Sequence, residues 1–401
     1  MSAHLNKMIN SISSPNSINP ITIIDETIRE GMQYRGIVFS FEERAKILEF
    51  QEMLGVDISQ VGYPSAHFTE VDIIKGLTQI VAKNGYKIRV AGMGRASTHD
   101  VKSLVKSNVK DFHLHAHIKL DEVQKSLTSI KEAVGQMRQN TPNAKISIAL
   151  LDIGTSSMQL LEIISKFLVN ETAIDILSLP DTSGIMSPDS FYDAVSSFIN
   201  KISMLSEDSS ANSVKTEISV HCHNDLGVAS ANTFMGVRAG ATVVELSALG
   251  IGERNGIGDL FTVAKMLKDR GYNFRLNVND IKRFKEYYRY VSDICKAQTG
   301  AALINYNTPF FGDGVKTHVA GTHAGSGFGL FSEKDGQNCG YNLNVLCGKN
   351  LVKRYLESMD IPYISQQLGK ITESIKSQSA QLGRRLEKDE ITEIVKHIYT
   401  R

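Results

Sequence analysis

The sequence predicts a (β/α)8 barrel with a small, mainly helical C-terminal appendage. Three observations predict it. Eight short, β-branched apolar runs recur along the first two thirds of the chain. Helical segments separate them, which points to a parallel sheet. Eight such units in about 260 residues suit a closed barrel better than an open, doubly wound sheet.

The expected strands are Ile21–Ile24, Val56–Val61, Lys87–Val90, Asp111–His115, Lys145–Leu150, Asp175–Leu179, Ile218–His223 and Val243–Ser247. The helices carry boundary signals of their own. Ser40 and Glu43 are spaced for a capping box, Ala45, Leu48 and the run from Phe50 to Leu54 give a buried stripe, and Gly55 supplies the stop. Ser187-Pro188 reads as an N-cap followed by proline in the first helical position. Ser65–Val71 and Ala96–Val101 are similar passages from strand to helix. The polar run Ser206–Glu217 reads as a solvated loop on the face of the barrel away from the chemistry.

Residues 1–20 form a Ser- and Asn-rich stretch, expected to be a loose arm. Residues 21–280 are assigned to the barrel. After Asp280 the rhythm stops: Ile281–Ala301 reads as helix, Asn305–Leu330 is rich in Gly and aromatic residues, and the remainder is helical with exposed charges. Residues 281–401 are therefore assigned to the appendage.

Composition is that of an ordinary globular protein: 401 residues, 42% hydrophobic, 22% charged, and net charge +1. That balance gives no whole-chain signature of nucleic-acid or membrane binding. No segment reads as a secretory signal or a membrane span. The four cysteines, Cys222, Cys295, Cys339 and Cys347, form no C-x-x-C pair and read as reduced thiols of a cytoplasmic protein.

In such a barrel the chemistry sits at the carboxyl ends of the strands. The first strand runs into Asp25-Glu26-Thr27-Ile28-Arg29-Glu30-Gly31-Met32-Gln33, where a planar guanidinium suits a substrate carboxylate and an acid suits a metal. On the seventh, His221 and His223 share one face by strand alternation and Cys222 takes the other. Two imidazoles side by side at a barrel mouth are ready ligands for a divalent cation. His113, His115 and His117 share a face of the fourth strand; the expectation is that one faces the site and the others fill polar layers or lie beyond the strand, with a second metal cluster as the alternative. The Gly250–Gly258 run has glycines for tight turns but lacks the context of a dinucleotide fingerprint. His318 and His323 fall in a loop of small residues from the appendage, where one could act as a base.

Taken together and in this order, Asp25–Gln33, Leu179–Pro188 (LPDTSGIMSP), His221–Asp225, Gly250–Gly256 and Thr317–His323 resemble the DRE-TIM metallolyases. The resemblance is strongest to the 2-isopropylmalate and homocitrate synthases. Lys87–Lys102 resembles the isopropylmalate branch, and Lys370–His397 the helical end of homocitrate synthases. The resemblance implies a metal-dependent Claisen-type condensation of an acyl-CoA, acetyl-CoA above all, with a 2-oxo acid. It implies Glu30, His221 and His223 as ligands of Mg, Mn or Zn, and Arg29 beside the oxo group. Gln33, Arg95, Thr182 and Ser187 then take substrate-binding positions, His323 is the base, and Tyr341 is its nearest partner. It also implies a homodimer. A lyase or aldolase of the same superfamily, and a 2-oxo acid-binding protein without turnover, are the alternative readings.

The chain departs from the resembling pattern at definite positions. The acid of the fifth strand falls at Leu151 and its neighbouring Arg at Ser147, leaving Asp152 as the only acid there. A position that often holds an Asn ligand is Ile257, and a Glu of the first motif is Met32.

Overall fold

The computed structural model describes residues 20–116, 118, 121–150, 152–172, 174–206, 216–303 and 343–399. Eight parallel strands close into a barrel in sequence order, β1 pairing with β8. They are β1 Thr22–Asp25, β2 Ile58–Gln60, β3 Arg89–Arg95, β4 Asp111–His115, β5 Lys145–Ala149, β6 Ile176–Asp181, β7 Glu217–Cys222 and β8 Val243–Leu246. Helices follow the strands, as expected. No helix among the described residues is long and apolar enough to cross a membrane.

The local signals are realised in detail. Ser40 and Glu43 form a reciprocal capping box on helix Phe41–Leu54, and Gly55 ends it at φ 85°. The sequence places β3 at Lys87–Val90, but the strand runs to Arg95 through Gly92 and Gly94. Glycines weaken a strand pattern, yet these two are dictated by packing. A Cβ on either would lie 2.8 or 2.9 Å from the Leu104 side chain. β6 likewise continues through Pro180 to Asp181.

Alternation along the strands builds the barrel interior in layers. Ile24, Ile58, Ala91, Ile176 and Val243 form one buried apolar cluster. Two residues further along the same strands stand Glu26, Gln60, Met93, Ser178 and Glu245, all lining the cavity at the carboxyl end. Below the cluster, the ion pair from Lys145 of β5 to Glu217 of β7 (2.9 Å) reaches across β6, which lies between them. An apolar plug thus underlies a polar layer and shuts water out from beneath.

The chain divides into two compact units, residues 1–304 and 305–401. Helix Ile281–Thr299, assigned from sequence to the appendage, therefore belongs with the barrel. The reason is its buried face. Phe284, Tyr287, Tyr288 and Val291 are fully buried. Tyr287 Oη donates to Asp25 Oδ2 at 2.9 Å, and Tyr288 Oη donates to Asp259 Oδ2 at 2.7 Å. The other unit contains helices Lys349–Ser358, Leu368–Leu382 and Lys388–Tyr399 around Leu351, Leu356, Ile371, Ile375 and Ile391. Cys222, Cys295 and Cys347 are buried free thiols, and Cys339 lies outside the described residues.

Asp25 connects the frame to the site. Its Oδ1 accepts from Thr27 N at 2.8 Å and from Thr27 Oγ1, fixing the turn into the short helix Thr27–Glu30. Thr27 Oγ1 in turn accepts from Ala248 N at 2.8 Å, beyond β8. Tyr287→Phe keeps the ring but removes the hydroxyl that donates to Asp25 Oδ2. The variant is expected to lose about 1–3 kcal/mol, read as a lower denaturant midpoint at unchanged slope; an unchanged midpoint would contradict the clamp.

Candidate active site at the barrel mouth

The cavity at the carboxyl ends of the strands has a volume of about 250 Å³. Its floor is a network of buried polar groups. Arg29 lies at the centre. Its Nη2 donates to Glu26 Oε2 at 2.8 Å and its Nη1 to Gln33 Oε1 at 2.9 Å, with further bonds from Nε to Gln60 and from Nη1 to Glu30. Gln60 Nε2 donates to Glu26 Oε1 at 2.6 Å and lies 2.8 Å from His113 Nδ1. Glu30 Oε1 accepts from the Glu253 backbone N–H at 3.0 Å, so the glycine run after β8 holds that carboxylate in place.

His221 and His223 face one another through their Nε2 atoms, 3.3 Å apart. Behind His221, its Nδ1 lies 3.3 Å from Glu26 Oε2 and 3.2 Å from Glu245 Oε2. The strand-parity argument for the two imidazoles is therefore realised in space. Cys222 points away and is fully buried.

Charge is the notable property of this floor. Glu26, Glu30 and Glu245 are buried at 0, 1 and 8% exposure. Among the described residues lining the cavity, Arg29 is the one permanently charged cation. With neutral imidazoles, two negative charges are left without a counter-charge in a poorly solvated place. The side chains answer this in their titration. Burial opposes protonated His221, but Glu26 and Glu245 outweigh it and push its pKa up to about 10. Burial and the neighbouring His221 charge push His223 down to about 4. Burial also disfavours ionised Glu30, yet Arg29 and His221 hold its carboxyl below the usual range.

A divalent cation matches that deficit in both charge and donor type. Glu26, Glu30 and His221 each present a ligand atom within 4.8 Å of the others. The second imidazole stands beside them, and its Nδ1 has no hydrogen-bond partner.

Comparison with known proteins agrees with this arrangement. Residues 20–287 match the HMGL-like family. The chain belongs to that family. It is similar to a probable 2-isopropylmalate synthase of Archaeoglobus fulgidus, 25% identical over 89% of this chain and 69% of that protein. It is also similar to homocitrate synthases: that of Sulfolobus acidocaldarius is 28% identical over 89% of this chain and 75% of that protein. That of Pyrococcus horikoshii is 27% identical over 84% of this chain and 90% of that protein. Among solved structures, HMG-CoA lyase of Bacillus subtilis superposes with TM-score 0.57 at 16% identity, over 72% of this chain and 97% of that one. The Brucella melitensis enzyme gives 0.54 at 14%, over 69% of this chain and 99% of that one. At those identities the lyase structures share the barrel fold.

Within this HMGL-like barrel the residues singled out from sequence fall into three groups. Arg29, Glu30, Gln33, Thr182, His221 and His223 line the cavity. Arg95 and Ser187 do not. Arg95 is exposed at the end of β3, its backbone N–H bound to Asp100 Oδ2 at 2.8 Å. The Ser187 hydroxyl donates to the side chains of Asp189 and Ser190, within the first turn of helix Pro188–Ser206. His323 and Tyr341, like His117, His318 and Leu151, lie outside the described residues. His113 and His115 both line the cavity, rather than one alone. On β5 the wall is Ser147, Ala149 and Leu150; Asp152 turns instead to Ser183, Thr155 and Gly154.

Three residues were missed: Glu26 as a member of the site, Gln60, and Glu245. Glu245 left a legible sign, a lone carboxylate between Val244 and Leu246 in a strand that is otherwise apolar. Gln60 ends a strand of three buried residues.

Gly252 offers a test that alters no polar side chain. A Cβ there would lie 2.8 Å from Glu30 Cγ and 3.0 Å from Glu30 Oε1. Gly252→Ala is expected to weaken Mn²⁺ binding by about tenfold or more, since displacing one ligand or its support has that effect. Calorimetric titration checks it, with circular dichroism confirming the fold. Unchanged affinity in the folded variant would separate Glu30 from cation binding.

Proposed function

We propose that this chain condenses an acyl-CoA, with acetyl-CoA as the foremost donor, with a 2-oxo acid. Water then hydrolyses the thioester, so that the products are CoA and a 2-hydroxy-2-alkyl dicarboxylic acid. A divalent cation of the Mg, Mn or Zn type is held by Glu30, His221 and His223. The observation that carries the reading is the paired imidazoles beside a carboxylate and an arginine, on a cavity floor short of two positive charges. The names of the similar synthases support the same chemistry.

When bound, the cation supplies Lewis-acid polarisation of the ketone and offsets charge that develops on its oxygen. The chain's own groups do the rest. Arg29 is fixed by Glu26 and Gln33 so that its guanidinium faces the cavity, where it adds to that stabilisation without reorganising. Thr182, at the cavity's edge, and Gln33 orient the oxo acid through its carboxylate. His323, with Tyr341 as its partner, takes the proton of the acyl-CoA methyl in this reading. The β5 wall of Ser147, Ala149 and Leu150 carries no carboxylate, so the acid–base work is assigned to His323 and Tyr341. The active assembly is taken to be a homodimer.

A panel of 2-oxo acids against acetyl-CoA and propionyl-CoA, with Mn²⁺ or Mg²⁺, is expected to release free CoA thiol with at least one pair. A chelator should stop the release and added metal restore it. Glu30→Ala should reduce turnover by about 100-fold or more, the scale reported for disrupted metal sites and their support. Silence across the whole panel at high enzyme concentration would overturn the condensation. If calorimetry then showed 2-oxo acid binding, the protein would be a binding module.

A further inference from the structure

His221 is gripped from behind by two carboxylates that are not equivalent. Glu26 is already engaged by Arg29 Nη2 at 2.8 Å and by Gln60 Nε2 at 2.6 Å. Glu245 accepts only neutral donors on one oxygen: Ser178 Oγ and Ser219 Oγ, each 2.7 Å from Oε1. Its other oxygen, Oε2, stands 3.2 Å from His221 Nδ1, an ion-pair contact whose angle falls short of a hydrogen bond. Among the described residues it makes no ion pair with an arginine or lysine.

Burying a carboxylate is costly unless it is partnered. Two serine hydroxyls could be satisfied by a neutral amide oxygen at that position. What a carboxylate adds is negative charge close to Nδ1, which favours a proton there over one at Nε2. The two nitrogens of an imidazole point in divergent directions, so a proton fixed at Nδ1 leaves the Nε2 lone pair free on the far side. There it meets His223 Nε2 at 3.3 Å.

We propose that Glu245 is a positioning residue: it locks His221 in the Nδ1–H tautomer and fixes its ring, so that Nε2 faces the cation shared with His223 and Glu30. Ser178 and Ser219 hold the carboxylate in the orientation required. This rests on the cation reading of the site and is independent of which substrates are condensed. The rival arrangement has the cation on the Nδ1 side, where Glu26, Glu30 and His221 also converge within 4.8 Å; Glu245 would then be a ligand or a bystander.

The test uses the full chain labelled with ¹⁵N-histidine and loaded with Zn²⁺, with His221→Asn assigning the His221 signals. Long-range proton–nitrogen correlation is expected to show His221 protonated at Nδ1 and zinc-bound at Nε2. Glu245→Gln is expected to bind Zn²⁺ about 10- to 100-fold more weakly, while a purely structural role would lower the melting temperature and leave affinity in place. Zinc on Nδ1, or equal affinity in the folded variant, overturns the proposal. If Glu245→Gln does not fold, the wild-type tautomer decides alone. If the wild-type chain binds no divalent cation, the cation reading itself has failed, an outcome distinct from a wild type that binds and a variant that binds equally well.

Discussion

Buried charge governs this molecule. Glu26, Glu30 and Glu245 are withdrawn from water around Arg29 and two imidazoles. Such a group of carboxylates is stable only where every oxygen has a donor and the net charge is compensated. The structure meets most of the first need with Arg29, Gln60, Ser178, Ser219 and the Glu253 amide, and leaves Glu245 Oε2 facing the His221 ring. Without a cation, the second need falls on a proton at His221, which is why that ring titrates near 10. The same group that would be costly in an apolar core becomes an advantage when a dication enters.

The barrel makes this arrangement possible through its layers. The cluster of Ile24, Ile58, Ala91, Ile176 and Val243 seals the floor, so the polar layer opens only toward the carboxyl end. Asp25 then fixes the turn that presents Arg29 and Glu30, itself held by Tyr287 from helix Ile281–Thr299. A residue more than 250 positions away in sequence thereby supports the first motif. Stability and site geometry share these bonds.

The acid groups of the cavity are placed unevenly around the barrel. The β5 wall is made of Ser147, Ala149 and Leu150, with Asp152 committed to its own turn, whereas Glu26 and Glu245 bring carboxylate to the opposite side of the cavity. Electrostatic work is thus concentrated between β1 and β8, adjacent strands in the closed barrel.

The sequence by itself determined what depends on local geometry. Strand and helix alternation, the Ser40–Glu43 cap, the Gly55 stop and the shared face of His221 and His223 all follow from backbone periodicity, which needs no partner to be defined. Barrel closure decided the rest. Only register across strands brings Ser178 of β6, Ser219 of β7 and Glu245 of β8 onto one carboxylate, and no spacing along the chain encodes that meeting. Packing against Leu104 accounts for the two glycines of β3, and the Asp189 carboxylate took the Ser187 hydroxyl. Buried tyrosines drew helix Ile281–Thr299 into the barrel unit. These outcomes are contests between neighbours distant in sequence, settled by space and by the cost of leaving a buried polar group alone.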